Sequence, residues 1–295
     1  MKTHKDTNPA RPQKASVPTP DSPTDSRTSN RRRVNKGTAN TGTANTPQTD
    51  EMSRLQKVLA GAGVASRRQI EKMVEQGRIK INGQVVTEQG RLITSRDRVE
   101  IDGKKVELRA NPHIYIMLHK PIRVLSTVKD EHGRKNVRDL LPKEMGRVYP
   151  VGRLDYETSG LLLLTNDGDL TLKLTHPRYG VPKTYRIRLN KALNKEDLLT
   201  LRRGVPLEDG MTRPAKVVVS PVSNTTSSPE HWAEMTLSEG RNRQVRRMFE
   251  HFGYEVLALE RTSYASLNMQ NLVSGAYRRL TPREIAELKQ LTMDN

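Results

Sequence analysis

Val151-Gly-Arg-Leu-Asp-Tyr-Glu-Thr-Ser-Gly-Leu-Leu-Leu-Leu-Thr-Asn-Asp-Gly168 is the stretch around which the chain is arranged. The four leucines, residues 161–164, are too few to cross a membrane and are bounded by Gly160 and by Asn166-Asp167-Gly168. Such a run reads as a strand buried on both faces and closed by a tight turn. Asp155 then lies in the loop that feeds a rigid strand, a position from which a scaffold presents functional side chains. On local sequence alone two readings stand: an Asp just before Thr158 and Ser159 is a turn or cap residue, or it is a catalytic carboxylate.

Working outward, the 295 residues suffice for two folded modules. The net charge of +18 is spread along the chain. Residues 1–50 hold nine basic and four acidic side chains, residues 51–110 thirteen and eight, and residues 111–295 twenty-nine and twenty-one. A surplus in every segment points to a polyanionic partner, most simply nucleic acid. The chain has no cysteine, which excludes disulfides, thiolate zinc sites and cysteine nucleophiles. No apolar run approaches the ~18 residues of a membrane span, and Met1-Lys-Thr-His-Lys-Asp lacks an apolar signal core. The expectation is a cytoplasmic monomer without membrane contact.

Residues 1–50 carry almost no large apolar side chains and read as a disordered basic tail, in which Arg31-Arg32-Arg33 could touch phosphates. Order begins near Met52. Leu55, Val58, Leu59 and Ala62 fall on one helix face, and Ser66 opens a second helix with Gln69 at capping-box spacing. Ile70, Met73 and Val74 form its apolar side; Arg67, Arg68 and Lys72, continued by Arg78 and Lys80, form its basic side. Hairpin signals follow at Asn82-Gly83 and Asp102-Gly103. Arg54-Leu-Gln-Lys-Val-Leu, Gly63-Val-Ala-Ser-Arg-Arg and Gly77-Arg-Ile-Lys-Ile-Asn-Gly-Gln make residues 51–110 resemble the small S4-like RNA-binding domain of a ribosomal protein, some tRNA synthetases and several RNA-modifying enzymes. Arg67 and Arg68 would also suit a solvated helix face; their grouping with Lys72, Arg78 and Lys80 favours RNA contact, and Arg54 and Lys57 belong to the same expectation.

Asn111-Pro112 opens a second module, residues 111–295. Strands are expected at Ile114-Tyr-Ile-Met-Leu, Val124-Leu-Ser-Thr-Val, Tyr185-Arg-Ile-Arg-Leu, Ala215-Lys-Val-Val-Val, Trp232-Ala-Glu-Met-Thr-Leu and residues 255–259. Helices are expected from Asn194 to Gly204, from Gln244 to Phe252 and after Thr281-Pro-Arg-Glu. The fold class is therefore α+β: a small helix-turn and hairpin domain, then a mixed, mostly antiparallel sheet with flanking helices.

No Walker loop or Gly-x-Gly-x-x-Gly supports a nucleotide cofactor, and the seven histidines lack metal-ligand spacing. Four ordered motifs remain. Lys120-Pro121 with Leu125-Ser-Thr, the central Gly152–Gly168 stretch, Lys183-Thr-Tyr and Glu239-Gly-Arg-Asn-Arg-Gln-Val-Arg-Arg-Met resemble the motifs of bacterial ribosomal RNA pseudouridine synthases, the family of RsuA, RluB, RluE and RluF. One departure is Arg123, where that family has Gly. The resemblance implies that Asp155 is the catalytic carboxylate, Tyr185 the aromatic packed on the target base and Arg246 the partner of Asp155. It adds Arg153, Arg241 and Arg243 to the RNA-binding residues. It also implies a reaction without cofactor or metal, in which a uridine of ribosomal RNA or of a ribosomal-subunit precursor is flipped and isomerised. The 23S RNA is the favoured target; 16S RNA, or a non-catalytic assembly factor on the same fold, are the alternatives. Among the residues themselves other readings stay open. Tyr185 alternates with Ile187 and Leu189 as core would, the arginines of 241–247 suit a phosphate-binding face, and Glu157 could pair with Asp155 as in a glycosidase.

Overall fold

The computed structural model describes residues 52–220 and 230–291; the expectations for the tail, residues 1–50, lie outside these. The first module opens with α1 (Leu55–Gly61) and α2 (Arg67–Glu75). The Ser66 side chain accepts from Gln69 N–H and the Gln69 side chain reaches back to Ser66 N–H, so the capping box forms as spaced. Two hairpins follow: β1 (Ile79–Ile81) with β2 (Gln84–Val86), and β3 (Val99–Ile101) with β4 (Lys104–Val106). Their turn residues Asn82-Gly83 and Asp102-Gly103 all have positive φ, as tight hairpin turns demand. The four strands lie in the order β2-β1-β3-β4 and pack Ile79, Ile81 and Val99 against Leu55, Leu59, Ile70 and Val74 of the helices.

A nine-stranded sheet forms the second module among the described residues. Its principal strands are β5 (Tyr115–Lys120), β6 (Ser159–Thr165), β7 (Lys183–Leu189), β8 (Lys216–Val219), β9 (His231–Leu237), β10 (Val256–Tyr264) and β11 (Tyr277–Arg279). They run side by side as β8-β9-β7-β10-β6-β5-β11. Only β6 and β10 pair in parallel, Gly160 opposite Arg261; the other neighbours on this path are antiparallel. The leucine run is the β6 strand, and its alternation divides it between two cores. Leu161 and Leu163 enter one with Tyr115 and Met117; Leu162 and Leu164 enter the other with Ile116 and Leu118. A third core gathers Ile187, Leu201, Met235, Met248 and Phe249 on the far half of the sheet.

Three expectations change. Val124-Leu-Ser-Thr-Val forms no strand: Leu125 makes a single bridge to Asn136, and Ser126 bonds the backbone of Leu154 instead of a neighbouring strand. Asn166-Asp167-Gly168 is not a tight turn but a helix entry: Asp167 accepts from Leu170 N–H and caps α3 (Gly168–Thr175). The strand expected at residues 255–259 runs on to Tyr264, because Arg261 and Tyr264 also pair with β7. Of the remaining helices, α4 (Lys195–Arg203) and α6 (Pro282–Leu291) start at their Asn194 and Thr281 caps, while α5 (Gln244–Glu250) has no side-chain cap and ends two residues before the expected Phe252. The modules touch through Asn111 N–H on Gly61 O (3.0 Å), Arg147 Nη1 on Gly63 O (3.1 Å) and the Lys57–Asp169 ion pair (2.9 Å).

Candidate active site

The first and last of the four sequence motifs brace the loop of the central one, and Lys183 and Tyr185 of the third line a cleft with it. Residues 151–158 enter the middle of the sheet, and their backbone is bonded from several sides. Val151 N–H donates to Leu163 O (2.8 Å). The Ser126 hydroxyl donates to Leu154 O (2.8 Å) and accepts from Leu154 N–H (3.1 Å). Lys120 Nζ donates to Thr158 O (2.8 Å) and Pro121 O (2.9 Å), and Arg123 N–H to Tyr156 O (2.7 Å). Thr158 N–H closes a turn on Asp155 O (3.1 Å). Beyond the loop, Gly160 has φ +112°, and a Cβ there would run into the Arg261 carbonyl and amide. The parallel β6–β10 junction that carries the loop thus requires glycine.

Asp155 lines a cleft of about 380 Å³ with Arg153, Lys183, Tyr185, Arg243 and Arg261. Tyr185 sits on β7 between β9 and β10, opposite Met235 and Arg261. It is half-buried, packing part of its ring on two cores while lining the cleft, so it is both a packed residue and a presented one. Glu157 is exposed and outside the cleft lining, so the glycosidase-like carboxylate pair does not form.

Arg246 is buried on α5 but does not ion-pair with Asp155 in this structure. Its Nη1 donates to Val256 O (2.8 Å) and its Nη2 to Glu157 O (3.3 Å), so it braces the backbone two residues past Asp155. The Arg246 Nε is buried without a partner. The cation that acts electrostatically with Asp155 is Lys120, which is fully buried. Burial pushes its ammonium down to about 8, and the Asp155 charge works in the opposite direction. Lys183 is also held down to about 8, by burial first and the neighbouring Arg261 second, with Glu239 opposing them. Sequence reasoning had no role for either lysine, although both stand in quoted motifs. Arg261 carries no local signal at all.

The basic residues expected to meet RNA divide into two sets. Arg54, Arg67, Arg68, Lys72 and Lys80 are exposed on the first module, as are Arg153 and Arg243 at the cleft. Others are engaged within the chain. Lys57 is paired with Asp169, and Arg78 grips Asp102 through two bonds (2.6 and 2.9 Å). Arg241 is spent on the carbonyls of Asp209, Gly210 and Met211. Arg247 holds the Asp209 carboxylate (2.9 and 3.0 Å), keeping it well below the usual carboxylate range, at about 2. Arg241, in the loop ahead of α5, and Arg247, on α5, therefore both hold the segment of residues 209–211.

A small basic domain joined to a sheet whose cleft presents an aspartate, a tyrosine and buried cations defines an RNA-modifying enzyme. The sequence model of the RNA pseudouridylate synthases matches residues 114–251 and that of the S4 domain residues 53–99. Ribosomal large subunit pseudouridine synthase B of Bacillus subtilis (strain 168) is 49% identical over 240 residues, which cover 81% of this chain and 97% of that protein. Its namesake from Vibrio cholerae serotype O1 is 38% identical over 81% of this chain and 74% of its own length. A crystal structure described as a pseudouridylate synthase superposes with a TM-score of 0.57 at 30% identity, over 80% of this chain and 99% of the other. The chain belongs to the bacterial RNA pseudouridine synthases of the RsuA, RluB, RluE and RluF family, and is an isomerase acting on RNA.

Proposed function

We propose that the protein converts one uridine of 23S ribosomal RNA to pseudouridine, with Asp155 as the catalytic carboxylate. The observation that carries this reading is the convergence of Lys120 and Ser126, from one motif, and Arg246, from another, on the backbone of the loop that presents Asp155 to the cleft. Preorganisation of that kind suits a group that must meet a sugar carbon in one geometry. The large-subunit target rests on the names of the two relatives above.

Isomerisation breaks C1′–N1 and makes C1′–C5, with neither redox change nor group donor. The target base must leave its stack, at a cost of a few kcal/mol, and a half-buried tyrosine in the cleft offers it a new face. Tyr185 takes that role. Arg246 is a positioning residue that holds the Asp155 loop through Glu157 O. Phosphates meet the exposed Arg54, Arg67, Arg68, Lys72 and Lys80 of the first module and Arg153 and Arg243 at the cleft. Such a protein works in the bacterial cytoplasm, as a monomer, on ribosomal RNA or a subunit precursor. The test is tritium release from ribosomal RNA labelled at uridine C5, followed by mapping of the modified position. Modification in 16S instead of 23S RNA would overturn the target assignment and leave the chemistry in place.

A further inference from the structure

Lys183 and Arg261 both line the cleft and both are buried, 9% and 2% exposed. Two buried cations side by side are expensive unless an anion meets them. Arg261 spends its Nε on Leu161 O (2.7 Å), while its Nη2 is buried with no hydrogen-bond partner. Lys183 Nζ donates to Val181 O (2.8 Å), one bond for a group with three protons. The Tyr264 ring lies against both, 5.4 Å from the ammonium and 4.8 Å from the guanidinium. The neighbouring carboxylate, Glu239, is already engaged: it accepts from Gln244 Nε2 (2.6 Å) and Arg213 N–H (3.0 Å). In register, Lys183 stands two residues before Tyr185 on β7, and Arg261 lies directly opposite Tyr185 on β10. The unsatisfied charge thus lies next to the ring on which the base would rest.

We propose that Lys183 and Arg261 form a cationic seat that binds the uracil ring as an anion while it is detached from the sugar. This rests on the isomerase reading above. When C1′–N1 breaks, the bond pair leaves with the base and spreads over O2 and O4. C1′–C5 then forms from that anion, and the C5 proton is given up as one is taken on N1, so no oxidant or further reactant is needed. Fixed cations aimed at oxygens whose charge grows during the reaction accelerate the bond-breaking step more than they tighten substrate binding.

The experiment compares single-turnover consumption of the target nucleotide in two RNA substrates, one with uridine and one with 5-fluorouridine at the target. Fluorine at C5 stabilises the ring anion by itself. Lys183→Met should slow the uridine substrate about 100-fold with RNA affinity unchanged, and slow the 5-fluorouridine substrate several-fold less. Equal loss on both substrates, or no loss, overturns the proposal, because a structural defect does not sense the stability of the leaving base. If Lys183→Met fails to fold, Lys183→Gln, which keeps a donor for Val181 O, carries the same comparison with the same two outcomes. Failure of the isomerase reading looks different: wild-type protein would leave C1′–N1 intact in both substrates.

Discussion

At Gly160 the backbone of β6 comes so close to Arg261 that no side chain fits, and φ of +112° belongs to glycine's range. Gly160→Ala should cost about 3 kcal/mol, read as a lower urea midpoint with unchanged slope; a loss within 0.5 kcal/mol, the range of ordinary surface changes, would contradict the close approach. Arg123 shows the reverse case. Where the resemblance implies glycine, Arg123 itself adopts a left-handed conformation, φ 61°, and its N–H bonds Tyr156 O. At this scale the sequence was most informative where a motif was long. Asp155 and Tyr185, which the resemblance singled out, line one cleft. The pairing of Arg246 with Asp155 did not form, because the guanidinium found carbonyl acceptors that no sequence pattern displays. Lys57, Arg78 and Arg241 likewise have partners within the chain that were not legible: a basic residue seen in sequence shows its charge and not the carboxylate or carbonyl that holds it.

Elements were legible to the extent that their ends were. Ser66 with Gln69, Asn194 with Asp197, and Thr281 with Glu284 are side-chain bonds spanning three residues, so the chain alone reveals them. The α3 helix escaped because its cap, Asp167, sits in an Asn-Asp-Gly that reads equally as a turn. The extra length of β10 escaped because it is set by pairing with β7, far away in sequence. Glu284 also gives a pH dependence. Hydrogen bonds from Arg278, and to a lesser degree from Thr281, hold its carboxyl down to about 2, against a burial effect of opposite sign. A carboxyl depressed in the folded state contributes stability that is fully present above its unfolded pKa, near 4.3, and is lost as pH falls through 2. Wild-type stability should therefore decline between those values, and Glu284→Gln should show a shallower decline in urea titrations across that window. Identical slopes in the two proteins would show that this ionisation is not coupled to folding.

For the whole molecule, the proposed function divides the labour between a basic module that would hold RNA and a cleft that would transform it. The two are bridged by an exposed ion pair, Lys57–Asp169, of a kind worth at most about 1 kcal/mol, together with two hydrogen bonds. Replacing Arg67, Arg68 and Lys72 together by alanine should weaken RNA binding and lower the slope of log affinity against log salt by about one per residue, with the single-turnover rate on saturating RNA unchanged. A salt slope equal to wild type would remove these residues from the RNA interface. The proposal places the isomerisation on one carboxylate, carried by a loop that two other motifs brace. Its most direct measurement is tritium release from C5-labelled ribosomal RNA by wild-type protein and Asp155→Asn side by side. Release by wild type alone, with RNA affinity kept within about threefold (~0.65 kcal/mol at RT ≈ 0.59), is the expected result. Release by both proteins would contradict the assignment of catalysis to Asp155.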